Sequence, residues 1–94
     1  MIHKLKGVAI TREVWLDDKY LSPARSQKVL NHSPDGFNWG YGGSGPAQLA
    51  LAILLELEGE EKAIESYQDF KWNFVANLPQ GEDFETEFSI PDHD

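Results

Sequence analysis

The chain contains no cysteine, which excludes a disulfide framework and any thiolate metal site. It also lacks a long apolar run. The longest, residues 49–55, falls far short of the roughly twenty residues that a membrane-spanning helix requires. The N-terminus, Met1-Ile2-His3-Lys4, has no secretory apolar stretch, so a cytoplasmic protein without membrane contact is expected. Basic residues are scarce, with 8 Lys+Arg against 16 Asp+Glu and a formal net charge of −8. Direct nucleic-acid binding is therefore not expected, because it needs basic surface that displaces counterions from phosphates.

What is present suffices for one small domain spanning residues 1–94. Of the 94 residues, 40% are hydrophobic and 12% aromatic, enough for one core and too much for a disordered chain. A domain of this size without staples often gains stability by association, and a homo-oligomer is expected. The charge is unevenly spread. Residues 1–35 hold six Lys/Arg and four Asp/Glu, whereas residues 36–94 hold two and twelve. The last thirteen residues, 82–94, carry six acids and no Lys or Arg and read as a solvated acidic tail.

Residues 5–11 read as a strand, with Gly7 as a candidate bulge. Val14-Trp15-Leu16 and Tyr20-Leu21 flank a polar turn and read as a hairpin of open turn type. Residues 24–30 fit either one short helical turn or an extended connector. Residues 32–36, HSPDG, form a turn cluster, and Phe37 and Trp39 share one face of a short extended piece. A helix is expected from Ser44, with Ser44 or Gly45 as N-cap, to a stop at Gly59. It is apolar nearly all round, the pattern of a central helix or of one held between subunits. A second helix is expected over residues 60–77, with an apolar stripe through Ala63, Ile64, Tyr67, Phe70, Phe74, Val75 and Leu78. Residues 84–90 alternate weakly and fit an edge strand. The expected fold is α+β, a small antiparallel sheet of three to four strands packed with two helices.

The segment richest in chemistry is Gly40-Tyr41-Gly42-Gly43-Ser44-Gly45. It matches G-x-G-x-x-G, but a dinucleotide fold also needs a βαβ unit with an acid about twenty residues on. Here a second helix follows instead. Nor is it a phosphate-binding P-loop, since Pro46-Ala47 stands where Lys-Ser/Thr is required. Ser44 is not in the spacing of a nucleophile elbow. The local physics remains: glycines free backbone N–H groups to turn toward one point, and a helix N-terminus favours an anion there. On this reading Gly40, Gly42, Gly43, Ser44, Gly45 and Gln48 hold a phosphate and Trp39 and Tyr41 stack a base. Arg12, Arg25 and Lys71 are the candidate phosphate partners, with Arg12 and Arg25 the two expected to add charge. The sequence fits equally well a loop whose glycines only permit a tight turn, with Trp39 and Tyr41 in the core. His3, His32 and His93 are scattered, and only Asp92-His93-Asp94 brings candidate ligands together, so neither a metal nor a cofactor is expected. Trp72 lies off the second helix's stripe and suits a helix edge or an interface.

The stretch Phe37-Asn38-Trp39-Gly40-Tyr41-Gly42-Gly43-Ser44-Gly45-Pro46-Ala47-Gln48-Leu49-Ala50-Leu51-Ala52 resembles a family of small uncharacterised proteins of phages, plasmids, bacteria and archaea. Tyr67-Gln68-Asp69-Phe70-Lys71 and Leu78-Pro79 extend the resemblance, which covers most of residues 37–79. It implies a mobile-element context, in which small proteins without catalytic motifs block host defence. The leading expectation is a non-enzymatic protein that sequesters a phosphate-bearing nucleotide signal. The alternative is an acidic inhibitor of a host defence or nucleic-acid enzyme, with residues 82–94 imitating phosphates. An enzyme is the least favoured, for want of an acid–base pair.

Overall fold

The computed structural model describes residues 1–90. Strand β1 (Ile2–Val8) leads through a turn to β2 (Glu13–Leu16) and β3 (Lys19–Leu21), and a short helix α1 (Ala24–Val29) follows. Helix α2 (Ser44–Glu58) and helix α3 (Glu60–Asn73) come next, then a 3-10 turn (Val75–Asn77) and β4 (Phe84–Ser89). The four strands form one antiparallel sheet in the order β3-β2-β1-β4. The fold is α+β, as expected, with residues 24–29 settled as a third helix.

Alternation along the strands sorts the sheet into two faces. Leu5, Gly7, Val14, Leu16, Leu21, Phe84 and Phe88 point inward and are buried. The outer face sets Lys4 opposite Glu87, and Lys6 opposite Glu85 and Trp15. Gly7 is no bulge, because the β1–β2 register runs unbroken through it. A Cβ there would overlap the Phe84 ring and crowd Trp39, so Gly7 is the seat of two aromatic rings. The β2–β3 turn places Asp17 and Asp18 both at positive φ, 51° and 67°, as a type I′ hairpin turn demands. The Asp17 carboxylate stabilises it by accepting the Lys4 N–H at 2.9 Å and meeting His3 Nδ1 at 2.7 Å.

Helix α2 is buried from Gly45 to Leu55. One apolar cluster joins it to the inner sheet face, to Phe37 and Trp39, and to Ala63 and Tyr67 of α3. A single chain thus covers the all-round apolar helix, which removes the argument for a homo-oligomer drawn from it. Gly59 ends α2 at φ 86° and starts α3 directly. Helix α3 stops at Asn73, before the expected residue 77, and turns its buried side through Ala63, Tyr67 and Lys71. Ile64, placed on the stripe by its spacing, is exposed.

The edge strand expected over residues 84–90 is present as β4, paired along β1 with Phe84 and Phe88 in the core, so the solvated tail expected over 82–94 does not describe residues 84–89. Asp92, His93 and Asp94 lie outside the described residues.

Candidate functional site

The Gly-rich segment enters α2 through Gly43, which occupies the N-cap position with no side chain to cap the helix. The first helical bond runs from the Ala47 N–H to the Gly43 carbonyl at 3.1 Å. Pro46 has no N–H, so the helix start leaves the Ser44 and Gly45 N–H groups as its unpaired donors. No acid stands in the first turn. The positive end of the α2 dipole therefore has neither a cap nor a carboxylate to offset it.

A lysine is added to this end. Lys71 lies four residues beyond Tyr67 and eight beyond Ala63, on the side of α3 that faces α2, and only 7% of it is exposed. The helices are antiparallel, so its level on α2 can be read from its neighbours. Tyr67 hydrogen-bonds His32, whose backbone N–H reaches Gln48. Trp72 lies against Gly42, and the Gly40 N–H donates to the Val75 carbonyl at 3.0 Å. Lys71 accordingly sits at the first turn of α2. Its ammonium stands 4.4 Å from the centre of the Trp72 ring and makes no hydrogen bond or ion pair among the described residues. Nor is it needed to cap α3. The Asn77 amide donates to the Trp72 and Asn73 carbonyls, and the Phe74 N–H to Phe70. A cation beside a helix N-terminus is unfavourable by about 0.3–1 kcal/mol, which the place of Lys71 in the last turn of α3 offsets, and an anion between the ammonium and α2 would make the α2 side favourable as well.

Two aromatic rings flank the loop. A Cβ on Gly42 would overlap the Trp72 ring, and one on Gly43 would overlap the Tyr41 ring. Trp72 is 58% exposed and Tyr41 37%, so both rings offer surface to a ligand at the mouth of α2.

The structure gathers some of the residues singled out in the sequence and disperses others. Gly42, Gly43, Ser44, Gly45 and Tyr41 surround the start of α2. Gly40 has a positive φ of 84° and packs against the Gln80 backbone, a structural role. Trp39 is only 1% exposed. Its ring meets Phe84 edge-on and its Nε1–H donates to the Glu82 carbonyl at 3.1 Å, so it has no face free for a base. Gln48 is fully buried and fully used: its Oε1 accepts from the His32 and Ser33 N–H groups, and its Nε2 donates to Ser26 Oγ and the Leu30 carbonyl. It ties residues 26–33 to α2 and does not face a ligand. Arg25 pairs with Glu56 at 3.1 Å, twelve residues and so about 18 Å along α2 from Ser44. Arg12 lies on the β1–β2 turn, beside a cavity shared with Asn38 and the edge of Trp39. The sequence did contain one sign of Lys71's role: a lysine at the i+4 and i+8 positions of a buried stripe.

Among the described residues, no three His, Cys, Asp or Glu side chains cluster as metal ligands. No helix there is long and apolar enough to cross a membrane. No curated protein and no solved structure matches the chain. A family model does match, over residues 3–93, and the chain belongs to that family, DUF6166, a family of unknown function.

Proposed function

We propose that the protein is a non-enzymatic binder of a phosphate-bearing small molecule, a nucleotide, held at the N-terminus of α2. The observation that carries this reading is Lys71. A lysine whose stem is buried, whose solvent-reached ammonium has no counter-ion among the described residues, and which stands beside the uncapped positive end of a helix is an arrangement that a bound anion stabilises. The phosphate accepts from the Ser44 and Gly45 N–H groups and the Ser44 hydroxyl and pairs with Lys71. The exposed Tyr41 and Trp72 rings take the base.

Sequestration supports the non-catalytic form of this reading. No His or carboxylate hydrogen-bonds Ser44 among the described residues, so nothing there activates it as a nucleophile. The mobile-element context implied by the sequence resemblance suits an anti-defence protein that depletes a nucleotide signal in the host cytoplasm. The acidic-inhibitor reading is weakened by the sheet. Glu85 and Glu87 lie opposite Lys6 and Lys4, and the Asp83 carboxylate accepts the Ala9 N–H at 2.7 Å. Residues 84–89 are thereby held in a strand and not in a free tail, although Glu82, Glu85 and Glu87 remain exposed.

Isothermal titration of a nucleotide panel against the wild type, Lys71→Met and Trp72→Ala tests the proposal. The wild type should bind at least one nucleotide. Lys71→Met should abolish that binding, and Trp72→Ala should weaken it by about 1–3 kcal/mol, the worth of one stacked base. A wild type that binds no member of the panel, or a Lys71→Met variant that binds as tightly, would refute it.

A further inference from the structure

A second feature lies apart from Lys71. Arg12 adopts φ 60°, a left-handed conformation that glycine and asparagine take far more readily than arginine. Its backbone is fixed there by a 2.7 Å bond from the Arg12 N–H to the Val8 carbonyl. A backbone position that disfavours its residue directs attention to the side chain. Arg12 lines a cavity of about 360 Å³ with Ile10, Asn38, Trp39, Gln80 and Gly81, within the size range of small-molecule sites.

The cavity is rich in donors. The Arg12 guanidinium has no ion pair or hydrogen bond among the described residues. The Asn38 Oδ1 accepts the Trp39 N–H at 2.9 Å, which leaves its amide N–H groups for a ligand. The Gln80 side chain has no partner among the described residues. Apolar surface comes from Ile10, which is 96% exposed, and from Ala9. The neighbouring carboxylate of Asp83 opposes an anion, but it is occupied by the Ala9 N–H.

We propose that this cavity binds an oxyanion carried on a flat apolar body, with the planar Arg12 fork gripping two of its oxygens. The fork geometry of a guanidinium matches carboxylate and phosphate alike. Asn38 and Gln80 supply the flanking donors, and Ile10 and Ala9 meet the apolar body. The site adjoins the one at α2, since Asn38 packs against Gly45, but it uses none of the Ser44, Lys71 or Trp72 side chains.

The test is a nitrogen-15 NMR titration of the whole protein with benzoate, phenyl phosphate and, as an uncharged control, benzyl alcohol. The readouts are the Arg12 Nε–H and the side-chain amides of Asn38 and Gln80, distinct from the Ser44 and Gly45 signals that report on α2. Saturable shifts with benzoate or phenyl phosphate, absent with benzyl alcohol, are expected, and the stronger of the two identifies the source of the oxyanion. Arg12→Gly should bind at least about tenfold more weakly, as loss of a charge-assisted pair implies, and should melt at a higher temperature because glycine suits the backbone. Arg12→Lys, which keeps the charge and loses the fork, should also bind more weakly. Equal shifts with benzyl alcohol, no saturable shift with either anion, or undiminished binding by Arg12→Gly would overturn the proposal.

Discussion

Each glycine of the loop was placed by a different neighbour, and single substitutions should separate them. Gly40 combines a positive φ with contact against the Gln80 backbone, neither of which can yield. Gly40→Ala should therefore destabilise the fold by more than about 2 kcal/mol, read as a lowered melting temperature. Gly42 meets only the outer edge of an exposed Trp72 ring, and that ring can swing into solvent. Gly42→Ala should cost less than about 1 kcal/mol but displace Trp72 and weaken the ligand, with a shift in tryptophan fluorescence as the sign. Gly43 has a φ of −110°, so its backbone does not require glycine, and the ring of Tyr41 is what a side chain there would strike. The glycine density of the sequence therefore located the loop correctly, while the reasons for Gly40 and Gly42 depended on Gln80 and Trp72, thirty or more residues away. Lys71 extends the same point. Its ammonium is reached by solvent and stands in the last turn of α3, where a cation is favoured, so Lys71→Met should leave stability within about 1 kcal/mol of the wild type while removing binding, as a thermal melt alongside a titration would reveal.

At the scale of elements, the strongest sequence signals were the ones the structure kept. The apolar run of α2, its stop at Gly59 and the β2–β3 hairpin follow from composition and periodicity alone. Residues 84–89 gave two signals at once, a weak alternation that fits the edge strand they form and a run of acids that suggests solvent, while Phe84 and Phe88 belong to the core. Truncation after Gly81 should accordingly unfold the protein, since it removes an edge strand, two core rings and the carbonyl that receives Trp39. Circular dichroism would show the loss, and native ellipticity would contradict it. The hairpin carries a pH signature. The Lys4 N–H, then His3, hold the Asp17 carboxyl below its ordinary value of 3.8. A group depressed in the folded state stabilises the fold above its unfolded pKa and loses that contribution as pH falls through the folded one. The stability gap between wild type and Asp17→Asn should therefore be present at neutral pH and close below about pH 4, in denaturant titrations across that range.

For the whole molecule, one end gathers the functional features. The start of α2, the last turn of α3, the β1–β2 turn and residues 38–45 meet there, and Lys71 and Arg12, two of the cations with no ion pair among the described residues, lie among them despite a net charge of −8. Sequence reading found the loop but assigned its partners by type. Trp39 and Gln48 are buried, Arg25 is at the far end of α2, and the ring and the cation that do reach the loop come from α3. The antiparallel return of α3 along α2 sets that juxtaposition, and a linear pattern does not display it. With α2 covered inside one chain, light scattering should return the 10.6 kDa mass of a monomer. The most direct measurement of the central claim is a backbone amide NMR titration with the best-bound nucleotide of the panel. The largest shifts should fall on the Ser44 and Gly45 N–H groups, with the Trp72 indole following, and Lys71→Met should erase them. Shifts confined to other surfaces, or undiminished in Lys71→Met, would contradict it.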